Sequence, residues 1–151
     1  MAGETRIEEV LDFAIEKEQE AVDFYTEMAG RVKAPAMQRV FKQFAQEERG
    51  HKAKLQGVKA GRTALVSKGT VPNMALGDYL VAEKAEGEIS YQDALILAMK
   101  REKAAYRLYT DLAAEVGDPE LQELLLSLAQ EEAKHKLRFE IEYDENILTE
   151  N

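Results

Sequence analysis

The chain has 151 residues, no cysteine, and a formal net charge of −9 from 29 acidic and 20 basic side chains. Lack of cysteine excludes disulfides, iron–sulfur clusters and a four-cysteine iron site, and the negative balance disfavours nucleic acid and anionic membrane surfaces as partners. The length fits one domain, 1–151, with a substantial core, and no apolar run approaches the roughly 20 residues of a membrane span.

The chain starts as an amphipathic helix, not as a secretory leader, so a cytoplasmic location is expected. Apolar residues at alternating steps of four and three predict a first helix over about 4–30, with Ile7, Leu11, Ala14, Glu18, Ala21, Tyr25 and Met28 facing inward. A second, over 35–59, begins at Pro35 and turns Met37, Phe41, Phe44, Glu48, His51 and Leu55 inward. Residues 60–73 are rich in Gly, Thr and Ser and contain Pro72, which predicts an extended strap; 74–86 is expected to form a short helix. At about 3.3 Å per residue such a strap could run the length of a long helix, so 60–89 reads as a crossover between two hairpins, 4–59 and 90–146. The third helix, 90–116, turns in Tyr91, Leu95, Ala98, Glu102, Ala105, Tyr109 and Leu112. Gly117 then stops it, Asp118 caps the fourth, 119–146, and Pro119 takes its first position. The inward residues of that helix are Leu121, Leu125, Leu128, Glu132, His135 and Phe139.

The second hairpin is a copy of the first. Residues 11–55 lie over 95–139 without a gap, with Leu11/Leu95, Ala14/Ala98, Glu18/Glu102, Tyr25/Tyr109, Pro35/Pro119 and Gln38/Gln122 among the identities. Ala45-Gln46-Glu47-Glu48 and His51-Lys52 repeat as Ala129-Gln130-Glu131-Glu132 and His135-Lys136.

Six residues break the apolar stripes: Glu18, Glu48, His51, Glu102, Glu132 and His135, including both histidines of the chain. In each hairpin the two glutamates are equally far in sequence from the turn, at position 33 or at Gly117, so they share one depth. Glu48 with His51, and Glu132 with His135, stand at i and i+3, so one helix face offers a carboxylate and an imidazole together. No Lys or Arg shares the stripes. Four buried carboxylates without cations would be strongly destabilising, whereas two divalent ions balance them, so the six are read as ligands to two metal ions. Oxygen and imidazole donors suit Fe, Mn or Zn. Glu47 and Glu131 lie off the stripe by about 100° and are read as solvated or supporting residues. Tyr25 and Tyr109 are either aromatic core or phenols that hold a ligand carboxylate and offer an oxidisable group beside the site.

Through Glu18, Glu48-x-x-His51, Glu102, Glu132-x-x-His135 and Tyr25, the chain resembles the ferritin-like superfamily and, within it, the rubrerythrin-like di-iron proteins, over about 7–145. The resemblance implies an all-α four-helix bundle of two hairpins joined by the long crossover. It further implies iron as the metal pair and an oxidoreductase that reduces hydrogen peroxide or O2, or alternatively an iron-binding, ferroxidase or storage protein without turnover. Rubrerythrins proper carry a rubredoxin domain and a further glutamate one turn after the third-helix ligand, where this chain has Ala105. An external electron donor is therefore expected. A homodimer is expected in preference to a cage, because the additional C-terminal helix common in ferritins is missing.

Overall fold

The computed structural model describes residues 3–81 and 89–148. The chain forms two compact units, Met1–Leu76 and Gly77–Asn151.

In the first unit, strand β1 (Glu4–Arg6) leads into helix α1 (Ile7–Arg31), which packs along helix α2 (Pro35–Gly61) as an antiparallel hairpin. Pro35 opens α2, where its missing N–H costs nothing. Gln38 secures the turn by donating from Nε2 to the Val32 carbonyl at 2.9 Å. Nearly all the inward positions read from the sequence are buried, Ala21 alone in this unit being half-buried.

The start of the chain and the strap differ from expectation. Residues 4–6 are extended, and 60–73 holds a short helix α3 (Thr63–Lys68) followed by strand β2 (Thr70–Pro72). The strands pair antiparallel, Thr5 opposite Val71, and both residues are buried. The Thr5 hydroxyl accepts a hydrogen bond from the Met74 amide at 3.0 Å, and the Ile7 amide bonds the Gly69 carbonyl at 2.9 Å. Pro72 ends the ladder at an edge position, where no donor is needed. Gly69 is required by close approach, since a Cβ there would run into the Leu65 carbonyl oxygen and come within 2.8 Å of Ile7 Cδ1. The strap is thus fastened to the root of α1 by backbone pairing.

In place of the short helix expected over 74–86 there is one 3-10 turn, Leu76–Tyr79; residues 82–88 lie outside the described residues. A side chain holds the turn. The Tyr79 hydroxyl donates to Asp111 Oδ2 at 2.5 Å, and the Arg107 guanidinium sits 5.7 Å from its ring. Burial, together with that hydrogen bond, pushes the Tyr79 phenol up to about 12.

The second unit is built on helix α4 (Tyr91–Glu115) and helix α5 (Pro119–Tyr143). Both are capped as Ser and Asp allow: Ser90 Oγ accepts from the Asp93 amide and Asp118 Oδ2 from the Leu121 amide, each at 3.0 Å. Gln122 repeats the role of Gln38, donating to the Ala113 carbonyl at 2.9 Å. The α-helix stops at Tyr143, short of the expected 146, and continues as a π-helical turn, Asp144–Leu148. Near it the Tyr91 hydroxyl donates to Glu142 Oε2 at 2.6 Å, and Glu142 is buried. Tyr91 and Ala105 are half-buried, and the other inward positions of α4 and α5 are buried.

Candidate metal centre

Each hairpin brings its three predicted ligands together halfway along its helices. In the first, Glu18 projects from α1 and Glu48 and His51 from α2, and none is more than 4% exposed. His51 Nδ1 lies 3.1 Å from Glu48 Oε1 and 3.6 Å from Glu18 Oε2, and donor atoms of the three lie within 4.8 Å of one another. In the second, Glu102 on α4 and Glu132 and His135 on α5 are each 1% exposed, and His135 Nδ1 lies 3.6 Å from Glu102 Oε2. Helix periodicity suffices for this, since i and i+3 place carboxylate and imidazole on one face and the turn sets the glutamate of the facing helix level with them.

The electrostatics of the first hairpin expose what the residues need. Burial alone would lower the His51 pKa, but the carboxylates of Glu18 and Glu48 outweigh it and raise it from 6.5 to about 10. A proton on His51 therefore supplies the positive charge that two buried carboxylates require. A divalent cation supplies more of it at the same place, and the donors, carboxylate oxygen and imidazole nitrogen with Nδ1 turned toward the carboxylates, suit such an ion. The residues fit a metal.

Around each triad the lining differs. Tyr25 is buried, with its ring centroid 5.7 Å from Phe24, 5.9 Å from Phe41 and 6.1 Å from Phe44. Tyr109 is equally buried, but the corresponding positions are Leu108, Leu125 and Leu128. Glu47 and Glu131 are half-buried and off the stripe as expected, and Glu47 accepts from Gln43 Nε2 at 2.8 Å. One buried carboxylate, Glu142, escaped the sequence reading although a signal existed, because the alternation through Leu128, Glu132, His135 and Phe139 reaches it at the next step. It lies ten residues beyond Glu132, about 15 Å along the helix, and is held by Tyr91 and by Arg138 at 3.8 Å, so it belongs to the far end of the hairpin and not to the metal centre.

The family model for rubrerythrin matches residues 9–143. Two solved structures are similar in fold. One is a hypothetical protein from Pyrococcus furiosus, 25% identical, with a TM-score of 0.70 over 91% of this chain and 88% of that one. The other, from Thermotoga maritima, is described as a candidate ferritin-like diiron-carboxylate protein; it is 17% identical, with a TM-score of 0.69 over 97% of this chain and 99% of that one. No curated protein matches the chain. The fold is thus all-α and ferritin-like, as the duplicated hairpins led one to expect. Among the described residues no helix is long and apolar enough to cross a membrane.

Proposed function

The chain belongs to the rubrerythrin family, and from that premise we propose that it is a non-haem di-iron carboxylate protein that reduces hydrogen peroxide or O2 with electrons from an external donor. The observation that carries this reading is the repeated triad, a buried Glu-x-x-His pair on one helix with a buried Glu facing it, once in each hairpin. In this reading the two hairpins close as one domain and one four-helix bundle, Glu18, Glu48, His51, Glu102, Glu132 and His135 hold two ions between them, and four carboxylates match the charge of two M²⁺. Iron bound there would supply the electrons that convert peroxide to water.

The chain's own residues have separate tasks. Glu48 and Glu132 each present a carboxylate beside the histidine of the same helix. His51 gives up the proton it holds in the metal-free state, so metal uptake releases protons and competes with acid. The aliphatic and aromatic stripes, with the buried rings of Tyr25 and Tyr109 on them, keep bulk water from the layer. Ala105, where rubrerythrins proper have a further glutamate, leaves this centre with six protein ligands. These residues hold no cysteine for an iron–sulfur relay, and the reading takes its electrons from an external donor. We place the protein in the cytoplasm, as a small assembly and not a cage.

The test is to load the protein with Fe²⁺ under anaerobic conditions and add hydrogen peroxide. The reading expects rapid oxidation of about two irons per chain and repeated turnover once a reductant is present. Oxidation followed by accumulation of many irons per chain would favour the storage alternative, and no response to peroxide would remove the peroxidase claim.

A further inference from the structure

The duplication provides its own control for what the surface requires. On the outer face of the first hairpin a groove runs over the turn that carries the ligands, lined by Gln19, Val22 and Asp23 of α1 and by Arg49, Lys52 and Gln56 of α2. At the matching places the second hairpin has Lys103, Tyr106 and Arg107 on α4 and Ala133, Lys136 and Glu140 on α5. Alongside, Lys42, Ala53 and Gly57 of α2 are replaced by Leu126, Leu137 and Ile141 on α5. Among the described residues, every exposed large hydrophobic lies in the second unit: Leu80, Tyr106, Leu126, Leu137 and Ile141, between 42% and 56% exposed. Solvent does not require Leu126, Leu137 and Ile141, because the first hairpin has Lys42, Ala53 and Gly57 at the equivalent positions.

The basic charge is relocated and not increased: the first hairpin carries Lys42, Arg49 and Lys52 on α2 with Asp23 on α1, whereas the second carries Lys103 and Arg107 on α4 with Lys136 and Glu140 on α5. Gln19 and Asp23 give way to Lys103 and Arg107, so an apolar strip lies beside a basic border on a chain whose net charge is −9. Of the nearby carboxylates, Glu140 accepts from Lys136 at 2.8 Å and Asp111 from Tyr79. An acidic partner with an apolar contact fits both properties of the face. Its position also matters: Tyr106 is one turn past Glu102, Ala133 follows Glu132 and Lys136 follows His135, so a partner seated here stands one helix wall, about 10 Å, from the ligands.

We propose that the outer face of the α4–α5 hairpin docks the external reductant, an acidic one-electron carrier protein, through Tyr106, Leu126 and Leu137 with Lys103 and Arg107 at the border. This rests on the oxidoreductase reading above. Per peroxide, two reduced carriers each give one electron and become oxidised, two protons are taken up, and H2O2 leaves as two waters.

The experiment measures binding of two acidic probes, a flavodoxin and a rubredoxin-type one-iron protein, to the metal-free and iron-loaded chain. It also measures the rate at which each reduced probe, and separately dithionite, reduces the oxidised iron-loaded chain. At low salt at least one probe should bind saturably, and binding should weaken as salt rises. Arg107→Glu and Leu137→Lys, both on the surface, should each weaken it about tenfold and slow reduction by the probe in proportion, with helical content and the dithionite rate unchanged. Asp23→Lys on the first hairpin should have no such effect. The proposal is overturned if neither probe binds, if Arg107→Glu and Leu137→Lys leave binding unchanged, or if sedimentation shows a dimer that Leu137→Lys converts to monomers, in which case a second copy covers the face. Normal probe binding with failure of both the probe and dithionite to reduce the chain would count against the oxidoreductase reading and against an electron-carrier role for the docked partner.

Discussion

The two hairpins hold the same ligands in different surroundings. Glu18, Glu48 and His51 recur as Glu102, Glu132 and His135 at the same depth and with the same 3.6 Å spacing between histidine and the glutamate of the facing helix. Around them Phe24, Phe41 and Phe44 become Leu108, Leu125 and Leu128, and on the outer face Lys42, Ala53 and Gly57 become the exposed Leu126, Leu137 and Ile141. All six carboxylate and imidazole positions are kept in both copies, together with the turn residues Pro35/Pro119 and Gln38/Gln122 and the buried Tyr25/Tyr109. The rings around Tyr25 are what changed, at positions that need volume and apolarity but not a particular residue.

The comparison can be broken most severely at the ligands. Replacing His51 and His135 together with Ala should weaken metal binding by more than the roughly 100-fold that loss of a supporting contact can cost, with circular dichroism nearly unchanged because apolar layers flank the site on every helix. Either single replacement should have a similar effect on its own half, and a variant indifferent in one hairpin alone would show that the halves are not equivalent.

Next comes the packing. Phe41→Ala and Leu125→Ala probe the same position in the two copies. Both should lower the unfolding free energy, by roughly 3–5 kcal/mol and 2–5 kcal/mol respectively in denaturant titrations, with Phe41→Ala the more costly because it also removes a ring pair with Tyr25 worth about 0.5–1.5 kcal/mol. Equal costs would mean that the aromatic cluster adds nothing beyond its volume.

The pH dependence of the metal-free protein tests the charge balance at His51. His51 has a folded pKa near 10, above its unfolded value of 6.5, so its stabilising contribution is complete below about pH 6.5 and is lost as pH rises through 10. Chelated protein should therefore melt at progressively lower temperature over that window, and His51→Gln should flatten the slope. Metal should reverse the trend by displacing the proton, so affinity rises with pH. Smallest is the turn: Gln38→Ala and Gln122→Ala should each cost about 0.5–1.5 kcal/mol, a near-equal pair in contrast to the packing variants.

The four long helices and the burial of the six candidate ligands were legible because both follow from one periodicity, and a carboxylate on an apolar stripe is conspicuous. Glu142 was legible by the same rule and was missed only because the stripe was not carried one step further. The strap was not legible. Pairing of Glu4–Arg6 with Thr70–Pro72 joins segments far apart in sequence, and neither is long enough to show an alternation of its own. The single turn at Leu76–Tyr79 depends on the Tyr79–Asp111 hydrogen bond, which local propensity does not encode. The contrast between the outer faces was open to view in the duplicated sequence, but its meaning needed exposure: Leu126 and Leu137 could have been core until the structure placed them at the surface.

Titration of the purified, chelator-treated chain with Fe²⁺ under anaerobic conditions, with bound metal counted per chain, tests the central claim most directly. Two half-sites that share a metal pair predict saturation at about two irons per chain, and retention of that stoichiometry only when His51 and His135 are both present. Saturation unaffected by replacing both histidines, or no bound iron at all, would contradict the claim that these six residues form a dimetal centre.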